Sequence, residues 1–225
     1  MQNVAIVILA AGGSRRFGRP KQLVEWEGEP LLRSVVRSAS VADAGRVIVV
    51  LGAYAAKCTA ALQEFPNMDV ALNDAWESGM ASSIRVGVER AEQIGAGSIL
   101  LLLADQPCLT TQLINRFLTE RSASSIVAAC YNDVVGPPIL FGSSWFEQLK
   151  NLRGDEGARH LIRGRADSIT LIDWPEGAID LDTEEDVERA IAVGRQTLAP
   201  RPSAGSRSPR CANPTDDENT SVARR

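Results

Sequence analysis

A single histidine in 225 residues, His160, sits among Ala158, Leu161 and Ile162 and reads as a packing or helix-face residue, so no Ser-His-Asp or Cys-His triad can be assembled. Cysteine is also scarce: Cys58, Cys108, Cys130 and Cys211 lie far apart with no C-x-x-C pair, so neither a zinc site nor a disulfide framework is expected. A reducing cytoplasm is the expected compartment. No window reaches the roughly 18 uncharged apolar residues that a membrane span needs, and the first residues lack the basic start and cleavage site of a signal peptide. Positive charge is short as well, with 24 Lys and Arg against 28 Asp and Glu, a net charge of −4. Five of those arginines, against three acids, lie in the last 27 residues, which leaves 19 basic against 25 acidic residues before them. An acidic body excludes nucleic acid as the expected partner.

What is present is a 44% apolar chain long enough to bury a core. Short apolar runs alternate with amphipathic stretches: VAIVIL (4–9) and LLRSVVRSA (31–39), RVIVVL (46–51) and AYAAKCTAALQEF (53–65), MDVAL (68–72) and SSIRVGVERAEQI (82–94), SILLLLA (98–104) and TQLINRFLTER (111–121). Four successive β-α units predict a single α/β domain, a mostly parallel twisted sheet with helices on both faces. The run SIVAAC (125–130) is followed by YNDVVGPPILF, turn residues and an extended segment, where a short antiparallel excursion is expected. Helices are predicted over 143–152 and 156–164, a strand over 168–173, and a last helix opening at Thr183. The domain is expected to end at 198; the Pro-, Ser-, Arg- and Asn-rich 199–225 segment has no apolar periodicity and is expected to be disordered.

The first β-α loop, LAAGGSRRFGRPKQL, packs three glycines, four cationic side chains and a proline between Leu9 and Leu23. It is not a P-loop, because Arg19 and Pro20 stand where lysine and a metal-binding hydroxyl belong. Nor do Gly12, Gly13 and Gly18 fit G-x-G-x-x-G, and the second strand ends in Leu51-Gly52-Ala53 without a ribose-binding acid, which disfavours NAD. What remains is either a solvated surface turn or a triphosphate loop, in which small residues let backbone N–H groups approach phosphate while Arg16 and Lys21 add full charges.

Asp105 leaves a run of four leucines at a strand's carboxyl end, the side of an open α/β sheet where ligands sit. A carboxylate there suits Mg²⁺, which takes one or two protein carboxylates and fills its shell with water and phosphate oxygens; the alternative is a turn or helix cap. Asp182, just before the capping box of Thr183 and Asp186, is the second metal candidate, against a role in complementing the helix dipole. In NDAWESGMASSIRVG, Asn73, Trp76, Gly79, Ser82 and Ser83 lie between a strand and a helix. The serines suit capping, and the loop suits either a nucleotide contact or pure structure.

Six segments in order resemble the molybdenum cofactor cytidylyltransferases and, more broadly, nucleotidyltransferases of glycosyltransferase-A-like fold. L-A-A-G-x-S-x-R-x-G-x-x-K falls at Leu9 to Lys21 and N-x-x-W-x-x-G-M-x-S-S-I at Asn73 to Ile84. D-Q-P falls at Asp105 to Pro107, G-x-P-x-L-F at Gly136 to Phe141, G-D-x-G-A-R at Gly154 to Arg159 and D-x-D-T-x-E-D at Asp180 to Asp186. The resemblance implies that Leu9, Ala10, Ala11, Gly12, Gly13, Ser14, Arg16, Lys21, Asn73, Gly79, Ser82 and Ser83 hold the nucleotide. Arg16, Lys21 and Asp105 would be catalytic, with Asp105 and Asp182 on Mg²⁺. Guanylyltransferase relatives tend to carry A-G-G where this chain has Ala10-Ala11-Gly12, which favours CTP. The implied reaction is CMP transfer from CTP to the terminal phosphate of a molybdopterin-type cofactor, with a molybdenum hydroxylase as eventual recipient. The alternatives are transfer to a sugar or polyol phosphate, a non-catalytic cofactor carrier, and an NAD(P)H-dependent oxidoreductase.

Overall fold

The computed structural model describes residues 3–14, 17–65, 67–121, 125–163 and 169–179, with Leu181 and Asp186. The expected boundary at 198, the segment after it, the helix opening at Thr183, and the site candidates Arg16 and Asp182 lie outside the described residues.

The chain begins with β1 (Val4–Ala10), whose side chains alternate between two cores. A two-strand hairpin, β2 (Glu25–Trp26) and β3 (Glu29–Pro30), follows the first loop. Its two central residues, Glu27 and Gly28, both have positive φ, the signature of the primed turn that matches strand twist. Then come α1 (Leu31–Ser40), β4 (Arg46–Leu51), α2 (Ala55–Ala61), β5 (Met68–Leu72), α3 (Met80–Gln93), β6 (Ser98–Leu103) and α4 (Thr111–Thr119). The remainder is β7 (Ile126–Tyr131), β8 (Val134–Gly142), α5 (Phe146–Lys150), α6 (Arg159–Ile162) and β9 (Thr170–Asp173).

Seven strands form one sheet in the order β5-β4-β1-β6-β8-β7-β9. β1 pairs in parallel with β4 and β6, and β4 with β5, as four β-α units require. β8 runs antiparallel to both of its neighbours, so the expected excursion is this one strand, folded back between β6 and β7.

Helices cover both faces. On one, Leu32, Val35 and Val36 of α1 and Ile114 and Phe117 of α4 meet Ile6 and Ile8. On the other, Ile84 and Val88 of α3 and Leu149 of α5 meet Ala5 and Val7. The alternation of β1 therefore places a dry layer on each side of a strand buried along nearly all its length, as central parallel strands are. Its carboxyl end is where the glycine-rich loop departs.

The cysteines depart from expectation. Cys58 and Cys108 are free thiols, but Cys130 is disulfide-bonded. Spacing alone could not reveal this, because a disulfide depends on proximity in space rather than along the chain.

Candidate active site

The carboxyl ends of β1 and β6 open into a cleft of about 480 Å³. It is lined by Leu9 to Ser14 and Lys21 from the first loop, by Gly79 and Ser83 around the start of α3, and by Asp105 after β6. Ten of the twelve described residues named by sequence thus meet at one place; Asn73 and Ser82 do not line it.

The first loop is built by its own polar groups. Ser14 adopts a left-handed φ of 47°, and its carbonyl accepts the N–H groups of Phe17 (3.0 Å) and Gly18 (3.2 Å). Its hydroxyl accepts the Lys21 N–H at 3.0 Å and donates to Gln22 Oε1 at 3.3 Å. Buried Gln22 donates through Nε2 to the carbonyls of Ala10 (3.0 Å) and Gly12 (2.7 Å). The Leu9, Ala11 and Gly13 carbonyls accept from Ala104 N (3.2 Å), Ala53 N (3.1 Å) and the Tyr54 hydroxyl (3.2 Å). Every carbonyl from Leu9 to Ser14 is therefore occupied, whereas the N–H groups of Ala11, Gly12, Gly13 and Ser14 have no hydrogen-bond partner among the described residues. Backbone donors left open beside a cleft form a seat for anionic or acceptor-rich ligands.

Lys21 Nζ lies 3.0 Å from Asp105 Oδ2, with the lysine side chain 12% exposed and the carboxylate 36%. The pair ties the β1 loop to the β6 loop across the cleft and leaves the carboxylate reachable from solvent. Among the described residues no three His, Cys, Asp or Glu side chains gather to enclose an ion. Asp105 fits instead an ion that draws most of its ligands from water and phosphate, as Mg²⁺ does.

The opposite wall corrects the expected serine cap of α3. Gly79 (φ 106°) occupies the cap position of α3, and no side chain caps that helix. Ser82 and Ser83 are buried within its first turns, where both hydroxyls accept from Asn73 Nδ2, at 2.8 and 3.0 Å. Ser82 donates onward to the carbonyls of Gly79 (2.8 Å) and Ala75 (3.1 Å), and Asn73 Oδ1 accepts the Ala75 N–H at 3.1 Å. Asn73 and Ser82 thus form a buried clamp that shapes the loop. At the start of α3 the Ala81 N–H donates to Gly154 O at 3.0 Å, bringing the Gly154–Asp155 turn to the cleft.

Three lining residues carried no sequence signal of their own, Phe17, Gln22 and Glu77, while Met80 and Asp155 stood only as positions within the quoted motifs. Trp76, noticed in its loop, packs so closely on the first loop that a Cβ at Gly13 would lie 2.8 Å from its ring. Gly13 is thus glycine because of Trp76, while a Cβ at Gly12 would meet open space. His160 is 54% exposed with Glu156 as its neighbour at 3.8 Å, a helix-face residue as expected.

Residues 6–169 match the MobA-like NTP transferase domain. The chain belongs to that family and is an enzyme of the nucleotidyltransferase type. It is similar to the purine catabolism protein PucB of Bacillus subtilis (strain 168), 33% identical over 83% of this chain and 96% of the relative. It is also similar to nicotine blue oxidoreductase of Paenarthrobacter nicotinovorans, 31% identical over 82% and 95%. The molybdenum cofactor guanylyltransferase of Rhodobacter capsulatus (27%) and cytidylyltransferase of Escherichia coli (strain K12; 24%) each match over 83% of this chain and 94% of their own. The crystal structure of Rv0371c from Mycobacterium tuberculosis H37Rv superposes with a TM-score of 0.75 at 30% identity, covering 85% of this chain and 98% of that one. A manganese complex of the same protein matches with a TM-score of 0.70 at 27% identity, over 85% and 98%. Resemblance to the cytidylyltransferases thus stands at the level of the family, which holds both cytidylyl- and guanylyltransferases.

Proposed function

We propose that this protein transfers CMP from CTP to the terminal phosphate of a molybdopterin-type cofactor, with Mg²⁺ and release of pyrophosphate, for eventual use by a molybdenum hydroxylase. The observation that carries the reading is the run of N–H donors from Ala11 to Ser14, without partners among the described residues, on residues that line the same cleft as Lys21 and Asp105. An acceptor phosphate oxygen attacks the α-phosphorus as the bond from that phosphorus to the bridging oxygen breaks, and the electron pair leaves with pyrophosphate. The acceptor is already anionic, so no general base is required. What the chain supplies is alignment and charge: the loop amides seat phosphate, and Lys21 offsets the charge that builds on the leaving group. Asp105 and Asp182 would hold the divalent ion, which when bound adds positive charge beside the triphosphate. Arg16 is assigned to the phosphates on the family resemblance.

CTP is favoured over GTP because Ala11, which lines the cleft, stands where guanylyl relatives tend to carry glycine. The acceptor is supported by the two molybdenum cofactor transferases among the relatives, and the metal by the manganese complex of the structural neighbour. Incubation with CTP, Mg²⁺ and a molybdopterin-type phosphate should release pyrophosphate only when all three are present, with GTP slower. Release of none from either nucleotide, together with tight binding of NADH or NADPH, would contradict the proposal and favour the redox chemistry named in one relative.

A further inference from the structure

We infer that Gln22 is a positioning residue that sets the donor-only polarity of the nucleotide loop. This rests on the proposed reading of that loop as a triphosphate seat. Gln22 is 6% exposed and spends its whole amide on the loop: both Nε2 bonds go to the Ala10 and Gly12 carbonyls, and Oε1 accepts from the Ser14 hydroxyl. The Gly12 carbonyl has no other hydrogen-bond donor among the described residues, and Ala10 is the last residue of β1, where its pairing with Leu51 of β4 ends. A peptide plane turned so that its carbonyl points down to Gln22 turns the following N–H away from it. The peptides after Ala10 and Gly12 carry the N–H groups of Ala11 and Gly13, two of the four open donors. The neighbouring Lys21 is held by the same unit, because its N–H donates to the Ser14 hydroxyl that in turn donates to Gln22. One buried amide therefore fixes both the backbone donors and the root of the cation that faces Asp105.

The chemistry demanded is a side chain that donates twice and accepts once, at that length. Glutamate has the shape but, when ionised, no proton to donate, so it places an anion against two carbonyls and frees the loop to turn. Protonated, it regains one donor. Gln22→Glu should therefore bind nucleotide at least about tenfold more weakly than wild type near pH 8, and the wild-type to variant ratio should shrink as pH falls toward 5.5. Lys21, Asp105, Glu77 and Asp155 line the same cleft in both proteins, so the ratio removes their contribution. Gln22→Met, of similar volume without donors, should bind weakly at every pH.

The test is calorimetric titration of the full-length wild type, Gln22→Glu and Gln22→Met with CTP and Mg²⁺ between pH 5.5 and 8, with folding checked by circular dichroism at each pH. A ratio that narrows with acid for Glu but not for Met supports the assignment. Folded variants that bind like wild type overturn it, as do variants that both fail to fold, which would make Gln22 a core residue and not a positioning one. If wild type itself binds neither CTP nor GTP, the reading of the cleft has failed, a result distinguishable from either of these.

Discussion

Cys58 and Cys108 are apolar residues in all but name. Burial pushes each thiol up from the ordinary 9.0 to about 11, helped at Cys108 by the carboxylates of Glu176 and Glu27. The folded state therefore holds protons that the unfolded chain gives up near pH 9, so these thiols add stability below pH 9 that is lost as pH rises through 11. Alkylation of the native protein with iodoacetamide should stay slow at both positions at pH 8 and accelerate only toward pH 11, whereas the urea-unfolded chain reacts near pH 9; rapid native labelling of Cys108 at pH 8 would contradict this. The same scale shows what a sequence discloses. Asp105 draws attention because a charged residue that leaves an apolar strand has few structural reasons to be there, and Lys21 because it stands among cations in a glycine-rich loop. Gln22 does not, because its role depends on the loop curling back until three partners converge on one amide. The bond between Asn73 and Ser82 is hidden for the same reason: polar residues beside a glycine turn do not disclose in sequence that they bond to each other.

Elements were readable where period and length agree. The RVIVVL and MDVAL strands fall on the stretches read from sequence, and each of the first four helices overlaps its amphipathic stretch. The β2–β3 hairpin escaped because two-residue strands carry no period, and α6 is four residues where nine were expected, its glycine- and charge-rich start forming a turn instead. The close approach of α3 to the sheet was also hidden. A Cβ at Gly87 would lie 2.4 Å from Val7 Cγ1 and 3.3 Å from Val50 Cγ2, both fully buried. Alanine gains about 1 kcal/mol of helix propensity over glycine, but overpacking a filled core costs about 1–3 kcal/mol. Gly87→Ala should thus lower stability by about 1 kcal/mol in urea unfolding with the denaturant slope unchanged; a more stable variant would mean that α3 can slide outward freely.

At the scale of the molecule, the sheet makes the cleft. β1 and β6 are neighbours although the segment between them contains four other strands, two of the hairpin and two of the same sheet, and three helices, and this crossover brings Lys21 within 3.0 Å of Asp105 across 84 positions of sequence. The alternation of β and α predicted such a sheet and its ligand edge, since strand ends in open α/β sheets gather the loops. It could not predict that β8 would be inserted beside β6, because pairing partners are chosen by tertiary packing and not by order. No helix among the described residues is long and apolar enough to cross a membrane.

The central claim is that one cleft holds triphosphate through Lys21 and a divalent ion through Asp105. Calorimetric titration of CTP into wild type, Lys21→Ala and Asp105→Asn, each in Mg²⁺ and in chelator, tests it most directly. Lys21→Ala should weaken CTP by roughly tenfold or more in both conditions, since it loses a charge-assisted contact to phosphate. Asp105→Asn should lose the Mg²⁺ enhancement while its metal-free binding holds or improves, because an anion near the phosphates is gone and Lys21 is released from its ion pair. An Asp105→Asn protein that keeps full Mg²⁺-dependent binding and cytidylyl transfer would contradict the account.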